Sequence, residues 1–360
     1  MLKFLLGRFA VAVLTAACLT FAIFALTNLK PNLVKLAKTE AETRMSDEEV
    51  DRWIVRNGYA RPVLLRYGEW LGVMPGWEGA GTAAIPPRCQ RAVPDGVEIP
   101  RYCGVLQGYF GFSTTFKADV SSIIARGLGH TGWLMLSVVL VMVPTALLVG
   151  VLAGMREGSR TDRTLSTLAI ATTATPEYVS GVVLIVVFAS ATLGVSPILA
   201  EWGLIETKTL FMGTATSAMD DITFWNFALP VATIALYGTG YIARMTRASM
   251  AEVMTAQYIR TARLKGLSFR AVVLRHALRN ALIAPFTVIM LQFTWLLNGV
   301  VITETLFNYK GFGWTLVQAA GNNDIELLMG SSVVAVCVVI TTQLISDVGY
   351  AFLNPRIRVS

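Results

Sequence analysis

Long runs without a charged side chain alternate with charged segments along this chain. Residues 9–29, 131–155, 178–200, 222–243, 280–303 and 327–346 contain no Asp, Glu, Lys or Arg. A helix rises about 1.5 Å per residue, so roughly 20 apolar residues cross roughly 30 Å of hydrocarbon, and every run is long enough. The pattern predicts an all-α membrane protein with six transmembrane helices: one at 1–29, then a core over 131–360 with helices at about 131–155, 166–193, 222–243, 280–303 and 327–350. Lys3, Arg8 and the stretch Thr15-Ala16-Ala17-Cys18 also suit a cleaved signal. The first run nevertheless continues to Leu29, past the roughly 7–15 residues of a signal core, and it is read as an uncleaved span.

The segment 30–130 has another texture. Residues 30–119 hold 12 basic and 11 acidic side chains, which places a long polar loop between the first two spans. Within it, 33–71 reads as helical, and Ser46 can cap a helix opening on Asp47-Glu48-Glu49, acids suited to a first helical turn. From Gly72 to Gly104, recurrent Gly and Pro break every period, so 72–103 reads as an irregular insertion.

Composition agrees with this picture and narrows it. The 360 residues are 54% hydrophobic and 15% charged, with four cysteines and no periodic glycine. That is too few charges to solvate a wholly soluble chain, and it excludes a disordered chain, a disulfide miniprotein or a collagen-like fibre. Short cytoplasmic loops favour Lys and Arg. With both termini cytoplasmic, fifteen basic residues fall inside, eight of them between Arg244 and Arg279, against Lys208 and Lys310 alone in the short outer loops. The formal charge of +7 is therefore mainly an insertion signal, with no nucleic-acid partner implied.

Candidate chemistry is sparse. No Gly-Lys pair exists, so there is no Walker A phosphate loop, and neither HExxH nor GxSxG occurs. Only His130 and His276 are present, far apart in sequence, so no catalytic residues and no metal site are expected. Residues 127–132 match GxGxxG, but they open a predicted span instead of following a strand. Gly238 and Gly240 suit close helix packing. Cys89 and Cys103 lie in the outer insertion, either as two free thiols or as a disulfide closing about 15 residues, worth roughly 3 kcal/mol. Cys18 and Cys337 read as small apolar packing residues.

The segment 244–279 carries the strongest signal. Met250, Val253, Met254, Tyr258 and Ala262 recur at helical spacing, Gly266 can end that helix in a left-handed turn, and Ser268 can cap the next. A helix–glycine–helix elbow on the cytoplasmic side results. On periodicity alone, a basic hairpin lying on anionic lipid competes equally with a docking surface.

The wording of the segment resembles a known family. Tyr258-Ile-Arg-Thr-Ala-Arg-Leu-Lys-Gly266, followed by Arg275-His-Ala-Leu-Arg-Asn-Ala281, is similar to the signature loop of ABC importer permeases of the dipeptide, oligopeptide and nickel branch. The general pattern runs Glu-Ala-Ala, three residues, Gly, nine residues, Ile-x-Leu-Pro. Here Arg260-Thr261-Ala262 stands at the triplet, His276 and Leu278 at the Ile and Leu, and Arg279 at the Pro. Gly108-Tyr-Phe-Gly111-Phe-Ser113, Thr175-Pro176-Glu177-Tyr178, Ala228-Leu229-Pro230, residues 304–313 and Asn354-Pro355-Arg356 look equally familiar, while 72–103 has no counterpart.

The resemblance implies a non-enzymatic permease subunit of a bacterial inner membrane. Its implied partners are a second homologous permease chain, two cytoplasmic ATPase subunits that hold ATP and Mg, a periplasmic solute-binding protein and the lipid bilayer. This chain would bind no cofactor itself. Arg260, Thr261, Ala262, Arg263, Lys265, Gly266, Ser268 and His276 become the expected ATPase-coupling residues, with Ala262 as a flat contact and the basic residues at the rim. Charged groups in hydrocarbon are expensive. Glu177, after Pro176 and its freed carbonyl, is thus a candidate for the translocation path or for a helix end nearer the cytoplasm, and Gln292, Asn298 and Glu304 are further path candidates. Asp347 is placed at the inner interface. Peptides, nickel chelates, opines and glutathione remain open as ligands, and a secondary transporter of small polar solutes is the alternative.

Overall fold

The computed structural model describes residues 2–40, 45–76, 89 and 100–353. They are mostly helical and fall into two compact units, one comprising the chain to Leu128 with Thr315–Thr341, the other Gly129–Trp314 with the chain from Thr342. Most of the expected 72–103 insertion, the Asn354-Pro355-Arg356 ending and the side chains of Asn298 and Asp347 lie outside the described residues.

The first unit begins with helix α1 (Leu2–Thr27), followed by three short helices, α2 (Lys30–Glu40), α3 (Asp47–Arg56) and α4 (Val63–Leu71). Ser46 caps α3 in a reciprocal box with Glu49, which satisfies two of the N–H groups that a helix start leaves unpaired. The Ser46 N–H bond holds the exposed Glu49 carboxyl below its usual range. Gly72 ends α4 at φ +86°, a conformation suited to glycine. A short hairpin follows, β1 (Phe112–Ser113) paired antiparallel with β2 (Ala118–Asp119). Phe24, Leu33, Leu36, Val50, Ile54 and Trp70 pack with Ile325 and Met329 of α15 (Ile325–Leu353) as one apolar core. Asp324 caps α15, accepting from Leu327 N at 3.2 Å, and ties it to the hairpin by accepting from Ser113 Oγ and Thr115 N. Cys89 and Cys103 are bridged, with Cα atoms 6.2 Å apart.

The second unit is organised around α9 (Phe224–Met254), which packs against α6 (Arg160–Ala174), α7 (Glu177–Phe188) and α13 (Ile283–Leu306). Glycine lets neighbours approach closely. A Cβ at Gly240 would strike Thr172 Oγ1 and the Ala169 carbonyl of α6, and Gly150 and Gly154 of α5 (Val120–Gly154) lie against Ala243, Thr246 and Arg247 of α9. Gly238 receives Met142 in the same way, so both glycines of the 238–240 pair are close-packing positions. The GxGxxG match is simply part of continuous α5.

Among the described residues, three helices are individually long and apolar enough to cross a membrane: Gly7–Thr27, Val120–Gly154 and Ile325–Ile345. Two bent pairs raise that to five if each counts as one span, α6 with α7 at 108° and Phe269–Ala281 with Ile283–Gln292 at 49°. The expected span at 222–243 is one unbroken helix, but Asn226, Thr233, Tyr237 and Thr239 dilute its apolar character. The expected single helix at 166–193 is corrected to two, because Pro176 lacks an N–H and forces Thr175 into extended backbone (φ −87°, ψ 124°). Cys18 and Cys337 are exposed, so they point outward from α1 and α15 and are not packing residues.

A bulky side chain at the α6–α9 contact has no room. Gly240→Leu should destabilise the protein by about 1–3 kcal/mol through overpacking, read as a lower thermal-unfolding temperature in detergent, while Gly129→Leu, which meets nothing nearby, should be neutral.

Candidate functional site

The segment joining α9 to α13 folds as an elbow. After α9 stops, Ala256 is extended (φ −64°, ψ 148°) and opens α10 (Gln257–Leu264). Gly266 then turns the chain at φ +77°, with Gly266 N donating to Arg263 O at 3.0 Å and Leu267 N to Ala262 O at 3.4 Å. Ser268 caps α11 (Phe269–Ala271), accepting from Ala271 N at 3.4 Å. A wide π-helical stretch, Val272–Ala277, leads into α12 (Leu278–Ala281) and so to α13. Stretches of this kind recur at functional sites because they cost backbone regularity.

The elbow has its own small core of Met250, Ile259, Ala262, Val272, Val273, Ala277 and Ala281. Ser249 Oγ donates to Ala281 O at 2.9 Å, and the Arg156 guanidinium at the end of α5 lies 5.1 Å from the Phe269 ring. Met245, Ser249, Glu252, Asn280 and Thr287 line an open groove of about 670 Å³ beside α10. The π-helical stretch packs against α10, and Met250 of α9 joins the same core.

The expected single face of Met250, Val253, Met254, Tyr258 and Ala262 is corrected by the break at Ala256. The register shifts, Ile259 becomes the buried residue, and Tyr258 turns outward to accept from Asn280 Nδ2 at 2.8 Å. Ala262 is only 5% exposed, so it supports the elbow from inside and does not offer the flat contact expected of it. Arg260, Thr261, Arg263, Lys265, Gly266 and Ser268 are exposed, and His276 is half-buried in the π-helical stretch. Leu264, between Arg263 and Lys265, is 80% exposed. The sequence reading passed over it, although one leucine among charged neighbours on a polar face was the signal available.

The expected path residues separate in the structure. Glu177 sits in the first turn of α7, buried against Gly299, and accepts from Thr303 Oγ1 at 2.9 Å. Pro176 is at the α6–α7 junction, and its own carbonyl accepts from Val179 N and Ser180 N. Gln292 is buried with its Nε2 unpartnered. Glu304 is corrected from a path candidate to an internal tie, since it is wholly buried. Thr131 Oγ1 of α5 donates to its Oε1, Trp314 N donates to its Oε2 at 2.9 Å, and Gly311 and Gly313 leave the space it fills. Thr131 Oγ1 in turn accepts from Phe312 N at 2.8 Å. This arrangement clamps the start of α14 (Phe312–Gly321) to α5.

One further charged site was invisible in the sequence. Arg247 on α9 donates Nε and Nη2 to the Asp162 carboxylate at 2.9 and 2.8 Å, and Glu157 lies 3.4 Å from Nη2. Asp162, in the first turn of α6, also accepts from Gly158 N and Ser166 Oγ at 2.9 and 3.0 Å. This planar two-bond pair fastens the α5–α6 turn to the helix that carries the elbow. Arg247→Met leaves the buried Asp162 without its counter-charge and should destabilise by about 2 kcal/mol, measured by thermal denaturation in detergent. Adding Asp162→Asn should recover part of the loss, and unchanged stability in the single variant would show the pair to be inconsequential.

Comparison with known proteins gives this geometry a family. Residues 146–359 match the family described as binding-protein-dependent transport system inner membrane component. Over 369 residues the chain is 31% identical to a di/tripeptide transport system permease protein of Pseudomonas aeruginosa, covering 99% of each. It is 33% identical over 256 residues to a probable peptide ABC transporter permease protein of Sinorhizobium fredii, with 71% of this chain and 77% of that one covered. A glutathione transport system permease protein of Shigella boydii is 32% identical over 255 residues, covering 70% and 76%. The matched region contains the elbow, both buried acids and the Asp162–Arg247 pair, and the secondary-transporter alternative falls away. The chain belongs to the binding-protein-dependent transport system inner membrane components, the permease subunits of ABC importers.

Proposed function

We propose that this chain forms, together with a second homologous permease chain, the inner-membrane path of an ATP-driven importer of peptides or similar small solutes delivered by a periplasmic binding protein. In this reading the chain crosses the membrane six times with both termini cytoplasmic, and the elbow at 255–281 faces two ATPase subunits, which hold the ATP and Mg. The named substrates of the relatives, di/tripeptides and glutathione, support short peptides over nickel chelates or opines. The Cys89–Cys103 bridge supports an oxidising compartment for its segment.

The observation that carries this reading is Leu264, 80% exposed among exposed Arg260, Arg263 and Lys265 and mounted on a packed base. An exposed apolar knob with a charged rim fits a cleft on another protein, where burying a central apolar residue supplies most of the binding energy. Lipid would instead favour an uninterrupted apolar stripe, whereas Arg260, Arg263 and Lys265 surround Leu264 and Arg270 follows the exposed Leu267 and Phe269. A chain without a phosphate loop can receive work from an ATPase only through such contact, by binding its ATP-bound and ATP-free states unequally. Along the path, Glu177 and Gln292, each slightly exposed at 8%, are assigned to the wall, with Pro176 setting the bend and Asn298 on the same helix as Gln292.

Leu264→Asp should weaken ATPase docking by about 2 kcal/mol, roughly 30-fold, with insertion into the membrane intact. Gly266→Asp should abolish uptake and uncouple the ATPase from ligand, because a side chain at φ +77° strains the turn that sets the tip and adds a negative charge to it, although nothing within 4 Å crowds a Cβ there. The measurements are ligand-stimulated ATPase and uptake in proteoliposomes carrying the assembled transporter. Normal rates for both variants would remove the coupling role.

A further inference from the structure

Helix α4 was expected within an aqueous outer loop, but two features separate it from its neighbours. The first is where it touches α1. The Tyr67 hydroxyl shares a 2.7 Å hydrogen bond with Thr20 Oγ1 and reaches Ala17 O at 3.4 Å. Its ring lies 5.2 Å from Phe21 and 5.4 Å from Phe24, and Trp70 lies 5.6 Å from Phe24. Residues 7–27 of α1 form a candidate span. At about 1.5 Å per residue, Thr20 and Ala17 lie about 10 and 15 Å inside its C-terminal end, so α4 lies beside hydrocarbon-spanning helix.

The second feature is what α4 shows outward. Leu64 and Leu65 are 64% and 42% exposed, and Val73 and Met74, just after the helix, are exposed too. Both charges of α4 turn inward. Arg66 is buried between the Phe24 and Tyr59 rings and donates to Asn28 Oδ1 at 2.9 Å, while Glu69 is held by Arg61 through two 2.6 Å bonds. By contrast, α3 exposes Asp47, Glu48 and Arg52 to solvent. Backbone groups at the end of α4 are likewise satisfied within the chain: Gly72, Val73 and Met74 N donate to Gly68 O, and Gln107 Nε2 donates to Gly72 O at 3.2 Å. Hydrocarbon demands this internal satisfaction of the backbone, whereas water does not, although two side-chain donors of α4, Arg66 Nε and Trp70 Nε1, are buried without a partner.

We infer that α4 is embedded in one leaflet of the bilayer alongside the C-terminal half of α1, with Leu64, Leu65, Val73 and Met74 among the acyl chains. Nine residues reach about 13 Å, enough to enter one leaflet and too little to cross. The occupant of the apolar face is lipid, by continuity with the exposed apolar surface of α1, where Leu14, Leu19 and Leu26 are also bare. The polar segment between the first two spans is then divided, with α2 and α3 in water and α4 in lipid.

Spin labels test the placement. Single cysteines at Leu64, Leu65, Leu14 and Arg52 are introduced into the full chain with Cys18→Ala and Cys337→Ala, which leaves the Cys89–Cys103 bridge intact. The protein is reconstituted in phosphatidylethanolamine–phosphatidylglycerol liposomes. Labels at 64 and 65 should be relaxed several-fold more by oxygen than by a water-soluble nickel chelate, as at position 14, with the reverse at position 52. A response at 64 and 65 matching position 52 overturns the inference. Protection from both reagents overturns it as well, since it would place another protein chain on that face. The label at Leu14 reports the membrane whatever α4 does, so failure for α4 leaves the permease reading standing.

Discussion

A polar group inside a bilayer has no water to turn to, and nearly every feature of this permease follows from that. The carboxylates of Glu177 and Glu304 persist in apolar surroundings because Thr303, Thr131 and the backbone N–H of Trp314 face them. Arg66, buried in the first unit, likewise donates to Asn28 and lies between two aromatic rings. Each solution draws on residues distant in sequence, so the polar groups specify which helices are neighbours. Glycine makes the approach short enough: Gly299 admits Glu177, and Gly311 with Gly313 admits Glu304.

The same requirement separates what was legible in the sequence from what was not. Uncharged runs report apolar length, so α1, α5 and α15 could be read directly. The elbow was readable because its determinants are local: a left-handed glycine at 266 and a serine cap at 268 act on their own neighbours. The break at Ala256 was missed because a helical face, once begun at Met250, gives no sign that its register restarts. Pro176 was placed inside one span with a carbonyl freed beside it, yet its effect on Thr175 ends the helix altogether. Glu304 looked like a path residue because an acid in an apolar run is conspicuous, whereas its donors at 131 and 314 are conspicuous only in three dimensions. The Asp162–Arg247 pair, 85 residues apart, left no trace at all.

The elbow and the buried acids illustrate two uses of packing. Around Glu304, packing removes freedom, since the donors at Thr131 and Trp314 and two close glycines hold the carboxyl group in place. At the elbow, packing presents something: a seven-residue core raises Leu264 and its basic neighbours away from the helices behind them. Ala262 and Ile259 belong to that mount, and the recognisable wording of the segment encodes the mount as much as the surface it displays.

Helix α9 runs unbroken for 31 residues, about 46 Å, and its last turns are part of the elbow itself through Met250 and the Ser249–Ala281 bond. Between this rod and the exposed tip lies the break at Thr255-Ala256, where extended Ala256 turns the chain into α10. Met250 and the Ser249–Ala281 bond tie the base of the elbow to α9 across that break, and α9 in turn packs on α6, α7 and α13. In engineering terms, handle and shaft are two pieces joined at a shared core, and the helix breaks at Ala256, Pro176 and Leu282 are the joints of the assembly.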